Sequence, residues 1–165
     1  MSGKEQDFIK EAFDTNWVVP LGPNVNAFEK SLQDFLIENG KLKIENEGKQ
    51  VVALSAGTAA LHLGLILLGV QAGDEVICQS FTFCASANPV TYLGATAVFV
   101  DSEEDTWNMN PVLLEEAIRD RIAKTGREPK AIIPVHLYGM PAKMDEICAV
   151  AEKYGIPVLE DAPNT

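Results

Sequence analysis

Val51-Val52-Ala53-Leu54-Ser55-Ala56-Gly57-Thr58-Ala59-Ala60-Leu61-His62-Leu63-Gly64-Leu65 changes its pattern at Ser55, and that change decides the class of fold. Four apolar, partly β-branched residues read as a buried strand, Ser-Ala-Gly-Thr as a turn, and the remainder as a buried helix. No charged residue occurs from Val51 to Gly73, a length that could span a membrane. Ser55, Thr58, His62, Gln71 and four glycines interrupt that run, and Lys49 and Asp74 bound it, so strand, turn and helix fit it better.

Downstream, the same alternation repeats. Short apolar runs at 75–78, 97–100, 131–135 and 158–159 join 51–54 as predicted strands, with helices near 58–69, 84–93, 111–124 and 143–154 between them. Strands apolar on both faces and separated by helices predict an α/β fold, a mainly parallel sheet covered on both sides. Right-handed crossovers place every strand-to-helix loop on one edge of that sheet. Upstream, Phe8, Ile9, Ala12 and Phe13 mark one peripheral helix, and Pro20, Gly22 and Pro23 break the chain. A second helix, capped near Asn26, carries Phe28, Leu32, Phe35 and Leu36 on one face and stops at Asn39-Gly40; 41–50 reads as a loop. The domains expected are an N-terminal helical segment, 1–49, and a sheet-containing part, 50–165.

The 165 residues carry 13 Lys+Arg against 24 Asp+Glu, a net charge of −11, with 47% apolar residues. That balance supports a folded core and opposes nucleic-acid binding, which needs clustered cations. Cys78, Cys84 and Cys148 form neither an even framework nor a C-x-x-C pair, so neither disulfides nor a zinc site is expected, and a reducing cytoplasm is the simplest location. Residues 1–10 contain no apolar signal-peptide core.

Ligands of open α/β sheets bind beyond the carboxyl ends of the strands. There, Gly57 opens a helix whose free amides suit a phosphate, with the hydroxyls of Ser55 and Thr58 beside them. Equally, Gly57 makes only a turn that Ser55 or Thr58 caps. Phe81 and Phe83 follow the second strand, and either ring could stack on a flat ligand or simply pack. Asp101, His136, Glu160 and Asp161 end later strands; a carboxylate there accepts a proton from a ring nitrogen or caps a turn, and His136 is a structural or a functional histidine. A phosphate cradle, a stacking ring and such a carboxylate are together what pyridoxal phosphate requires. A G-x-S-x-G elbow and metal-ligand spacings are both missing.

In order, Ala53-Leu54-Ser55-Ala56-Gly57-Thr58-Ala59-Ala60-Leu61, Gly73-Asp74-Glu75-Val76-Ile77, Phe81-Thr82-Phe83, Gly94-Ala95 with Val98-Phe99-Val100-Asp101, Pro134-Val135-His136-Leu137-Tyr138-Gly139 and Glu160-Asp161-Ala162 resemble the DegT/DnrJ/EryC1/StrS family of sugar aminotransferases. Pro20 to Val25 and Phe28-Glu29 resemble its opening segment. The resemblance implies the large domain of a fold-type-I pyridoxal-phosphate enzyme. It also implies transfer of an amino group, usually from glutamate, to a keto group of a nucleotide-linked sugar, and a homodimer. By position, Gly57 and Thr58 would bind the cofactor phosphate, Phe83 would stack on its ring and Asp161 would pair with its nitrogen. Asn164 stands where the family usually has Gln or Glu. The family's cofactor-linking lysine lies downstream of the Asp161 motif and has no match among these residues, which predicts a chain inactive by itself. Alternatives left open are a phosphate- or nucleotide-binding module without pyridoxal chemistry and the family's few dehydratase relatives.

Overall fold

The structure is a computed structural model and describes residues 3–39 and 51–162. The chain divides into two compact units, 1–54 and 55–165. The first holds α1 (Glu5–Asp14) and α2 (Pro23–Glu38). α2 starts three residues before the expected Asn26, because Gly22 occupies the cap with φ 151° and Pro23 supplies a preset φ at the first helical position. Glu29, buried in this unit, accepts the Ala53 backbone N–H at 3.0 Å. Residues 51–54 form no strand, which corrects the first predicted one. Val52 and Leu54 are exposed, and no ladder partner occurs among the described residues. The loop expected at 41–50 lies outside those residues.

The second unit is the α/β body. It runs α3 (Gly57–Leu67), β1 (Glu75–Gln79), α4 (Asn88–Tyr92), β2 (Thr96–Val100), α5 (Pro111–Thr125), β3 (Ala131–Ile133) and α6 (Met144–Tyr154). The strands are parallel in the order β2-β1-β3, with Ile77 opposite Val98 on one side and Ile132 on the other. Alternation along β1 sends Val76 and Cys78 to one face, where Ala131 and Ile133 join Leu61 and Leu65 of α3 and Val90 of α4. Ile77 and Ile132 face the other way, onto Leu114 and Ile118 of α5 and Ile147 and Ala151 of α6. The sheet is therefore buried on both faces, as parallel sheets require.

The strand expected at 131–135 ends at Ile133, and 158–159 forms none of its own; both corrections have one cause. Ile132 N–H donates to Pro157 O at 3.0 Å, Leu159 N–H to Ile132 O at 2.9 Å, and Asp161 N–H to Pro134 O at 2.9 Å. Pro134 has no N–H to return the next bond, so the pairing shrinks to bridges Ile132–Val158 and Val135–Asp161. Those bridges still carry Asp161 to the same sheet edge as the loops after β1 and β3. The helix expected at 84–93 is split into a 3-10 turn, Cys84–Ser86, and α4, with Pro89 in α4's first turn. α5 is capped by Asn110, whose Oδ1 accepts Val112 N–H at 2.9 Å and Leu113 N–H at 3.3 Å.

Candidate functional site

A cleft of about 530 Å³ opens at that edge, and Gly57, Thr58, Phe83, Ser86, His136 and Asp161 are among the residues lining it. Its first wall is the start of α3. Ala59 and Ala60 donate to Ala56 O at 3.0 and 3.1 Å, while the Gly57 and Thr58 amides have no acceptor among the described residues. No side chain caps this helix, so the turn-and-cap alternative is not what the structure adopts. Gly57 does not have positive φ, so turning is not why a glycine is needed. A Cβ built there would meet nothing within 4 Å; the missing side chain leaves open space at the helix start. Two free amides at the positive end of an 11-residue helix beside open space are suited to an anion such as phosphate. Ser55 is exposed but does not line the cleft.

The second wall comes from the loop after β1. Phe83 is 76% exposed, so its ring face is free to meet a flat guest. Phe81 is instead engaged edge-on with Trp107, at a centroid distance of 6.0 Å.

The floor is Asp161, 9% exposed. Its Oδ2 accepts the Ser86 hydroxyl at 2.5 Å, within the range of a hydroxyl bonded to an ionised carboxylate. His136 lies beside it and is pinned through both nitrogens. Ala142 N–H donates to Nδ1 at 3.0 Å, so the proton sits on Nε2, 3.1 Å from Glu160 Oε2. Asp101 takes the turn role, accepting Ser102 N–H at 2.8 Å, and is not part of the lining. Asn164 lies outside the described residues. Among the described residues no lysine lines the cleft and no cluster of His, Cys, Asp or Glu could hold a metal. Lys143 is bound to Asp105 at 2.7 Å and Lys153 to Glu115 at 2.6 Å.

Sequence reasoning missed the polar knot beneath the cleft. Gln79, 0% exposed at the end of β1, donates to Phe81 O at 2.9 Å and Asn108 Oδ1 at 3.2 Å. Its Oε1 accepts from Met109 N at 2.8 Å and Val135 N at 3.4 Å. Asn108 in turn accepts Leu137 N–H at 3.0 Å and donates to Met140 O at 2.8 Å. This pair of amides, with both hydrogens and the oxygen of Gln79 engaged, ties together the loops after β1, β2 and β3. The signal was a lone glutamine ending an apolar strand, where a polar residue with no partner would be costly. Ser86 and Thr82 gave no comparable signal. Cys78, on the same strand, is no reactive group: burial pushes its thiol up to about 12.

A parallel α/β unit thus brings a helix start with two free amides, an open aromatic ring and a buried carboxylate to one sheet edge. The chain belongs to the DegT/DnrJ/EryC1/StrS aminotransferase family, whose sequence model matches residues 1–165. Pyridoxal phosphate is that family's cofactor. EpsN of Bacillus subtilis is 52% identical over 166 residues, covering 100% of this chain and 40% of EpsN. GDP-perosamine synthase of Caulobacter vibrioides is 41% identical over 162 residues, covering 98% of this chain and 39% of the synthase. The crystal structure of NtdA from Bacillus subtilis with bound cofactor PMP superposes with a TM-score of 0.76 at 32% identity, over 98% of this chain and 34% of NtdA. The chain thus spans about two fifths of the length of the curated relatives it matches. The parallel sheet with helices on both faces is the fold of the large domain of fold-type-I pyridoxal-phosphate enzymes.

Proposed function

We propose that these residues form the cofactor floor of an aminotransferase that moves an amino group from an amino acid, glutamate first, to the keto group of a nucleotide-linked sugar. The observation that carries this reading is the convergence of Gly57, Thr58, Phe83 and Asp161 on one cleft. Pyridoxal phosphate, when bound, supplies the electron sink that such a transfer needs. The free amides at Gly57 and Thr58, with the Thr58 hydroxyl, hold its phosphate. Ser55, from its hydroxyl in the turn before the helix, and Asn164, from the family resemblance, are reserve contacts to that cofactor. Phe83 stacks on the ring and Asp161 keeps a proton on its nitrogen, a charge pair that the buried position strengthens.

The covalent link needs a lysine, and no described lysine faces the cleft. The residues here supply recognition and electronic tuning, so the 165-residue chain alone should bind the cofactor without turnover. In this reading residues 1–49 are a helical segment ahead of the cofactor-binding part, and the complete enzyme is a cytoplasmic homodimer. The sugar-nucleotide assignment draws on the name of the Caulobacter relative, a GDP-perosamine synthase.

The test is an absorbance titration of the full-length protein with pyridoxal phosphate, followed by assay of amino transfer from glutamate to a panel of keto-sugar nucleotides. Neither a cofactor band nor transfer to any acceptor would overturn the reading.

A further inference from the structure

Ser86 is 2% exposed and stands in the turn Cys84–Ser86, 75 residues from the carboxylate it meets. Its Oγ lies 2.5 Å from Asp161 Oδ2 and 2.9 Å from Thr82 Oγ1. The carboxylate can only accept, so the Ser86 proton points to Asp161 and Thr82 must donate to Ser86. The result is a one-way chain, Thr82 to Ser86 to Asp161, running beneath the cleft. Asp161 Oδ1 is left with no partner among the described residues, on a residue that lines the cleft.

We infer that Ser86, with Thr82 behind it, is a positioning residue for pyridine-ring recognition: it fixes the rotation of the Asp161 carboxylate so that Oδ1 meets the ring nitrogen. This rests on the proposed pairing of Asp161 with that nitrogen. One oxygen tethered by a short charge-assisted bond leaves the carboxylate little freedom to turn away. Such supporting groups orient a ligand-binding side chain as outer-shell partners orient metal ligands.

The experiment compares dissociation constants, in the full-length protein, for pyridoxal phosphate and its deaza analogue, in which CH replaces the ring nitrogen. Ser86→Ala should weaken pyridoxal phosphate by about two- to tenfold and leave the deaza analogue unchanged, because the tether matters only when a nitrogen is there to be met. Ser86→Thr, which keeps the hydroxyl, should restore the preference for the natural ring. Equal weakening of both ligands, or of neither, overturns the inference, the first result marking Ser86 as merely structural. Asp161→Ala separates the two levels of argument. If that variant still prefers pyridoxal phosphate over the analogue as the parent does, the pairing of Asp161 with the ring fails and this inference with it. If it loses the preference while Ser86→Ala keeps it, only the role of Ser86 falls.

Discussion

Replacing Gln79 with Leu removes a buried hub while nearly keeping its volume, so packing changes little and the loss is almost purely polar. Four hydrogen bonds go, but their consequences differ. Met109 N–H, held at 2.8 Å, and Val135 N–H, held at 3.4 Å, are left buried without partners. Asn108 Oδ1 keeps the Leu137 N–H, and the carbonyl of Phe81, a residue 51% exposed, can turn to water. Two orphaned groups at about 1–3 kcal/mol each give a loss of about 2–6 kcal/mol, a large part of the roughly 5–15 kcal/mol that holds a typical domain. Urea unfolding of the parent and variant should show a lower midpoint at unchanged slope. Affinity for pyridoxal phosphate should fall with it, because Phe81 and Val135 line the cleft. A loss below about 1 kcal/mol would refute the reasoning, since it would mean that the three loops hold their positions without the knot.

In the full-length enzyme, Thr58→Val should weaken the cofactor by about 1–3 kcal/mol, the value of a lost hydrogen bond to a charged group; unchanged affinity by absorbance titration would contradict the assignment. Asp161→Ala should cut turnover far more than cofactor retention, and the reverse ranking in a paired kinetic and binding assay would count against its electronic role. Lys143, with Thr106 next in effect, holds the Glu103 carboxyl at about 2 instead of 4.5. A depressed carboxyl stabilises the fold above its ordinary value and loses that contribution as pH falls from 4.5 towards 2. Lys143→Met should therefore lower stability most at neutral pH, with the gap to the parent closing over that acid range; a gap independent of pH in urea midpoints would oppose this.

Much of the sheet was legible because β1, β2 and β3 are apolar on both faces, which only a covered parallel sheet accommodates. Residues 51–54 misled for the same reason: a β-branched run signals burial, not the identity of a partner strand. Pro134 shows a subtler limit, since the residues around it pair as expected while the lost N–H breaks the ladder. At the cleft, the apolar runs before Gly57 and Asp161 form no strand of their own, yet the sequence reading that set Gly57, Thr58, Phe83 and Asp161 at one sheet edge matches the residues that line it. Ser86, Gln79 and Asn108 act through contacts across 29 to 75 residues of sequence, which no local pattern encodes, and Thr82 acts only through Ser86.

His136 gives the cleft its temperament. A histidine on a pocket wall is ordinarily the first candidate to ferry protons, yet here protonating Nδ1 would sacrifice the bond from Ala142, and Nε2 is already committed to Glu160. The ring works as a strut between the loop after β3 and the approach to α6. With both of its nitrogens committed, the ring holds the cleft wall still, and what it contributes there is shape and fixed hydrogen bonds.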